Sequence, residues 1–225
     1  MKITYLYHSS FIIELDHHIL LFDYYQGHIP TLPPNKPLYI FVSHQHYDHY
    51  NPQIYQIKHP NITYIIDHKI DNLGITVKAH HQYKINDLNI QTLLSTDEGV
   101  AYVIEVENKH IYHAGDLNWW HWFGEAKEDN DYQKTTFKKE INKITDISFD
   151  LMMIPLDPRL EQASYWGMNY ILENIKTSYV LPMHFTDNPK KMLETLDEKP
   201  LNQYPQIIKI HHENETFNLG EAYED

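Results

Sequence analysis

The chain has 225 residues, 42% of them hydrophobic, which suits one α/β domain over 1–225 with a full core and excludes a disordered or fibrous polypeptide. Its formal charge of −13 repels phosphate backbones, so nucleic acid is not an expected partner, and the absence of cysteine excludes disulfides and thiolate metal ligands. No apolar run approaches the ~20 residues of a membrane span, and the first fifteen residues lack the basic head and cleavage site of a signal peptide; a cytoplasmic protein with no membrane partner is expected.

Short strands dominate the first half in chain order: 2–7, 11–15, 18–23, 38–43, 62–66, 88–94, 99–106 and 109–113. Pro30, Pro33, Pro34 and Pro37 mark a loop between the third and fourth. Asn51-Pro52 opens a short helix to about Lys58. The second half alternates: helix near 132–144, strand 149–154, helix 161–174, strand 178–183, helix 189–197, then two closing strands near 206–211 and 215–219. Strands first, then alternating helix and strand, imply two sheets with helices outside.

Seventeen histidines invite a search for metal ligands. The densest cluster is Ser43-His44-Gln45-His46-Tyr47-Asp48-His49, directly after the apolar end of the strand at 38–43. In extended backbone, residues two apart point the same way, so His44 and His46 can converge on one ion. Asp48 and His49 follow where the chain turns toward Asn51-Pro52 and can face a second position. Imidazole and carboxylate suit Zn2+ first, with Mn2+ or Fe2+ as alternatives.

This HxHxDH segment resembles the signature of the metallo-β-lactamase superfamily. Tyr7-His8-Ser9-Ser10-Phe11 followed by Ile19–Asp23 resembles the first hairpin of the branch that holds the ascorbate-phosphate lactonases. Ile111–Asp116 resembles the strand that ends in a metal-bridging Asp, and Leu181-Pro182-Met183-His184-Phe185 the late strand that delivers the last His. The resemblance implies a four-layer αββα sandwich, an α/β fold. It also implies that His44 and His46 hold a first ion, that Asp48, His49 and His184 hold a second, and that Asp116 bridges them, for one or two ions per chain. His8 and His113 fall near the family's site and read as supporting rather than ligating groups. Taken alone, Gly115-Asp116 could be a turn and His184 a satisfied strand-end histidine. One departure stands out: the family's third His for the first ion is missing, the stretch here being Leu94-Ser95-Thr96-Asp97-Glu98-Gly99. The first site is therefore expected to be the weaker, with Asp97 or Thr96 as stand-ins.

On the substrate side, Asn118-Trp119-Trp120-His121-Trp122-Phe123 follows Asp116 closely. It reads as a pocket wall with Asn118 and His121 as polar contacts, or as an aromatic plug. Asp157-Pro158-Arg159 carries the chain's one arginine against 17 lysines. Arg159 is expected to bind an anionic group on a small-molecule substrate, oriented by Asp157, the plain alternative being a loop ion pair. The implied activity is metal-dependent hydrolysis of an ester, lactone or phosphoester by metal-bound hydroxide, with Asp48 and Asp116 as the catalytic carboxylates. The rival is a non-catalytic metal-binding or sensor protein on the same fold.

Overall fold

A computed structural model of the chain describes residues 1–70, 73–186 and 188–220. They fall into two compact units, Met1–Val77 with the chain from His212 on, and Lys78–His211.

The first unit is one seven-stranded sheet. Its strands are β1 (Lys2–Tyr7), β2 (Ser10–Glu14), β3 (Ile19–Phe22), β4 (Leu38–Val42), β5 (Ile62–Asp67), β6 (Ile75–Val77) and β13 (Thr216–Asn218), in the order β13-β1-β2-β3-β4-β5-β6. The hairpin half is antiparallel; from β3 to β6 the strands run parallel. β3 (ILLF) and β4 (LYIFV) are apolar and buried at every position, as central parallel strands must be. Ile19, Leu21, Leu38, Ile40 and Val42 lie on the face that packs with Ile54 of a 3₁₀ turn, Pro52–Gln56. The parallel strands send their C-terminal ends to one edge, where ligands collect in open α/β sheets. Asp23 and Ser43 stand there, one residue past β3 and β4.

The second unit is a six-stranded sheet of β7 (Gln82–Ile85), β8 (Leu88–Leu94), β9 (Val100–Val106), β10 (Lys109–His113), β11 (Phe149–Pro155) and β12 (Thr177–Met183), in the order β12-β11-β10-β9-β8-β7. β10, β11 and β12 are parallel, so their C-terminal ends, leading to Asp116, Asp157 and His184, share an edge. Helices α1 (Lys127–Ile141), α2 (Trp166–Asn174) and α3 (Pro189–Asp197) belong to this unit.

Most predicted strands stand within a residue or two. Two short strands were not predicted, β6 and β7. β7 reads QYKI and buries only Ile85, so a polar edge strand gives no hydrophobic alternation to read. α1 begins at Lys127 rather than 132, because its first turn is set by Glu128 and Asp129 near the N-terminal dipole and not by apolar spacing. The helix expected over 161–174 is broken: a 3₁₀ turn spans Pro158–Ala163, with Glu161 at φ 52, ψ −120, and α2 starts only at Trp166. The strand expected at 206–211 is reduced to a single bridge of Ile207 with Val180; Pro205 has no N–H to extend the ladder.

Candidate metal centre

In the first unit, Asp23 organises the histidine loop. Its Oδ1 accepts the Ser43 backbone N–H at 2.7 Å, and its Oδ2 accepts the Ser43 hydroxyl at 2.6 Å and His49 Nδ1–H at 2.7 Å. Asp23 and His49 are fully buried. A carboxylate only accepts, so Ser43 Oγ spends its proton on Asp23 and must accept from His44 Nδ1, 2.9 Å away. Both His44 and His49 are thereby fixed as the tautomer with the lone pair on Nε2, the form a metal ion takes up. The His44 ring centroid lies 4.6 Å from that of His46 and 4.2 Å from that of His49. Backbone N–H groups of His49 and Tyr50 both donate to the His46 carbonyl, closing the turn that folds the motif on itself.

Asp48 Oδ2 lies 3.4 Å from His8 Nε2. His8, Asp48 and His49 each bring a ligand-capable atom within 4.8 Å of the others'. Partial burial works against the Asp48 charge; the side-chain hydrogen bond from His8 leads the effects that outweigh it and hold the carboxyl well below the usual range. Sequence reasoning set His8 aside as support; the fold seats it beside Asp48. His8 (φ 55) and Asp23 (φ 41) are both left-handed non-glycine residues, a conformation retained where surroundings over-determine it.

In the second unit, Asp116 Oδ1 lies 3.4 Å from His184 Nε2, and both residues are buried. His184 Nδ1 faces Asp157 Oδ2 at 3.0 Å, which again leaves the lone pair on Nε2. Arg159 Nε and Nη2 grip the same Asp157 carboxylate at 2.5–3.0 Å, and the Arg159 backbone N–H caps it at 2.9 Å. Burial opposes the Asp157 charge, but hydrogen bonds from His184 and Arg159 prevail and lower its pKa. A carboxyl depressed below its unfolded value of about 3.9 stabilises the fold fully above that pH and ceases to do so as pH falls through and below it. Metal-free Asp157→Asn is therefore expected to be less stable than the parent at pH 7, with the gap closing toward pH 3. Denaturant melts across pH check this, and a gap that stays constant would contradict it.

The stretch where the third histidine is missing also lies in this unit. Thr96 does not stand in for it: its hydroxyl donates to the Asn118 carbonyl at 2.6 Å and accepts the Asn118 N–H at 3.0 Å, bracing the segment after Asp116. Asp97 is exposed and brings a carboxylate oxygen within 4.8 Å of one from Asp116. His113 Nδ1 accepts the Gly115 N–H, a turn brace. His80 is tied to the buried Glu140 carboxylate.

The tryptophans divide. Trp120 is buried, donates to the Asp116 carbonyl at 2.9 Å and meets the His184 ring edge-on at 5.4 Å. Trp119 lies under Lys134 and Lys138 of α1. Trp122 is 38% exposed and lines a cavity with His121 and Arg159. Asn118 is buried and is not among that cavity's lining residues; a side chain at Gly167 would strike its Oδ1.

Sequence reasoning missed Asp23 as the hub, though it sits where the β3 apolar run stops. Nitrogen and oxygen donors, with three imidazoles held in the Nε2 lone-pair form by hydroxyl or carboxylate acceptors, fit a divalent ion.

Residues 2–126 match the family model described as the Beta-lactamase superfamily domain. The chain belongs to that superfamily. A UPF0173 metal-dependent hydrolase of Desulforamulus reducens is 25% identical over 214 residues, covering 84% of this chain and 86% of its own length. Among solved structures, Igni18, a metallo hydrolase of Ignicoccus hospitalis, superposes with a TM-score of 0.67 at 16% identity, over 96% of this chain and 98% of its own. CmlA, a diiron β-hydroxylase of Streptomyces venezuelae, also reaches 0.67, at 10% identity over 97% of this chain and 54% of its own. These likenesses establish the metallo-β-lactamase fold. They also show that the fold alone does not choose the reaction. No helix among the described residues is long and apolar enough to cross a membrane.

Proposed function

We propose that this superfamily member is a metal-dependent hydrolase of the cytoplasm, acting on an ester, lactone or phosphoester of small-molecule size. His44, His46, Asp48, His49, Asp116 and His184 are its metal ligands. The observation that carries the reading is the tautomer lock on His44, His49 and His184, each with Nδ1 on an oxygen acceptor. A protein that used these histidines only for packing would have no need to fix all three the same way. Bound there, Zn2+ supplies Lewis acidity and a water of lowered pKa, with Mn2+ or Fe2+ as substitutes of the same donor preference. Asp48, kept ionised by His8, orients the attacking water and can accept its proton. Asp116 has two oxygens to share between neighbouring cations. Arg159 and His121, which line the cavity, serve the substrate, and Asp157 does so by holding Arg159 in place; Asn118, expected to join them, is buried outside that lining.

Protein purified without chelator is expected to carry zinc, manganese or iron, and the double variant His46→Ala/His49→Ala to lose it. Unchanged metal content there would defeat the ligand assignment. A panel of phosphodiesters, phosphomonoesters, lactones and thioesters tests turnover; metal bound with no turnover on any of them would favour the sensor reading instead. The sensor reading rests on the absent third histidine, and the carboxylate of Asp97 near Asp116 weakens it. Titrating metal into apoprotein is expected to give two separated affinities, and Asp97→Ala to loosen only the weaker. Two equal affinities in the parent protein would refute the inequality.

A further inference from the structure

The second unit contains a cavity of about 390 Å³ whose walls are largely aromatic: Trp119, Tyr165, Trp166 and Tyr170. Sites that enclose a small ligand run to roughly 300–1,000 Å³, and this one falls in that range. None of the candidate metal ligands lines it, and neither does Arg159 or His121. The wall depends on Gly167. A Cβ there would stand 2.1 Å from Asn118 Oδ1 and 3.3 Å from the Trp119 nitrogen. Without one, the start of α2 closes on that segment, and Trp166 meets Trp119 edge-on with ring centroids 5.4 Å apart. The Tyr165 side chain makes no hydrogen bond or ring contact among the described residues, so its ring and hydroxyl are open to a ligand.

The charge at this cavity runs against that of the chain. Lys134 and Lys138 line it from α1, one turn apart, where like charges repel. Neither has an ion pair among the described residues; the carboxylate of Asp131 on the same helix is taken by Lys127. Ring faces hold them instead. Lys138 Nζ stands 4.7 Å from the Trp119 centroid and 4.5 Å from that of Tyr170, and Lys134 Nζ 5.4 Å from Trp119. A ring engages one side of an ammonium and leaves N–H donors on the other. Two cations are thus placed side by side with their charge uncompensated, a repulsion that a bound anion relieves. The one acid in the lining is Glu173 of α2, whose Oε1 accepts Asn169 Nδ2–H at 2.9 Å.

We propose that this cavity binds a small aromatic phosphate monoester, of which a nucleoside monophosphate is the type. The phosphate lies at Lys134 and Lys138, the ring lies against Tyr165 and Trp166, and Glu173 accepts from an amino or hydroxyl group of the ligand. Two adjacent ammonium groups match the near-double charge of a phosphate monoester better than the single charge of a carboxylate. The formal charge of −13 opposes a phosphate polymer, whereas one monoester meets only the local lysine pair. The site stands apart from the hydrolase reading and does not depend on it.

Calorimetric titration of metal-loaded protein with AMP, adenosine, ribose phosphate and inorganic phosphate tests this. AMP is expected to bind at least about tenfold tighter than each of the other three, because only it carries both the ring and the phosphate. In the double variant Lys134→Gln/Lys138→Gln, AMP is expected to fall to the affinity of adenosine. Tyr165→Leu is expected to weaken AMP and adenosine alike, by about fivefold or more. Bound metal, by elemental analysis, and the thermal midpoint are expected to stay constant in both variants. AMP affinity unchanged in either variant would overturn the proposal, since AMP would then be held elsewhere, the metal centre included. Ribose phosphate or inorganic phosphate bound as tightly as AMP would overturn it as well, as would no AMP binding at all.

Discussion

Asp116→Ala is expected to lower kcat by about two to three orders of magnitude, because the several kcal/mol supplied by correctly held metal ions pass through this carboxylate. The fold should survive. The backbone carbonyl of Asp116 accepts Trp120 Nε1–H, and alanine keeps that carbonyl. The pair of measurements is therefore steady-state turnover and thermal midpoint. Near-parental turnover would remove Asp116 from the catalytic role. Collapse of the midpoint would make it a turn residue after Gly115.

Asp23→Asn should produce the opposite profile, with stability and metal affinity falling together. Asp23 accepts three hydrogen bonds in full burial, two of them on one oxygen. An asparagine offers one accepting oxygen and turns an NH2 group toward donors that have nowhere else to go. Removing one partner of a buried charged network costs about 3–5 kcal/mol, and loss of the group that orients a ligating histidine costs about 10–100-fold in metal affinity. Denaturant unfolding of apoprotein reads the first, and metal competition with a chelator the second. An unchanged midpoint would mean that His44 and His49 hold their orientation without Asp23.

The candidate ligands were legible because they are dense in sequence and each follows an apolar strand: His44, His46, Asp48 and His49 after β4, Asp116 after β10, His184 after β12. Asp157 and Arg159 were legible for the same reason, after β11. What stayed hidden was the relation between them. Asp23 looks like any residue that ends a strand, and only pairing of β3 with β4 in parallel register shows that it stands beside Ser43. Between Asp97 and Thr96 the sequence could not choose, because a hydroxyl's partners are decided in three dimensions; here those of Thr96 include backbone groups of Asn118. The single helix drawn over 161–174 came from composition, which has no sign for a residue forced to positive φ at Glu161. β7 was missed for want of apolar residues, and its register comes from β8, not from its own side chains.

The place of β13 has a consequence for how the chain is made. Thr216, Phe217 and Asn218 pair with Thr4, Ile3 and Lys2, so the outer edge of β1 is closed by residues more than two hundred positions downstream. At translation rates of about 5–20 residues per second, that edge leaves the ribosome roughly 10–40 s before its partner exists. Through that interval its N–H and C=O groups face solvent as an open template for a strand of any nascent chain nearby. Lys2, exposed and charged on that edge, is the guard available meanwhile. A chain that stops before Thr216 keeps the edge open permanently.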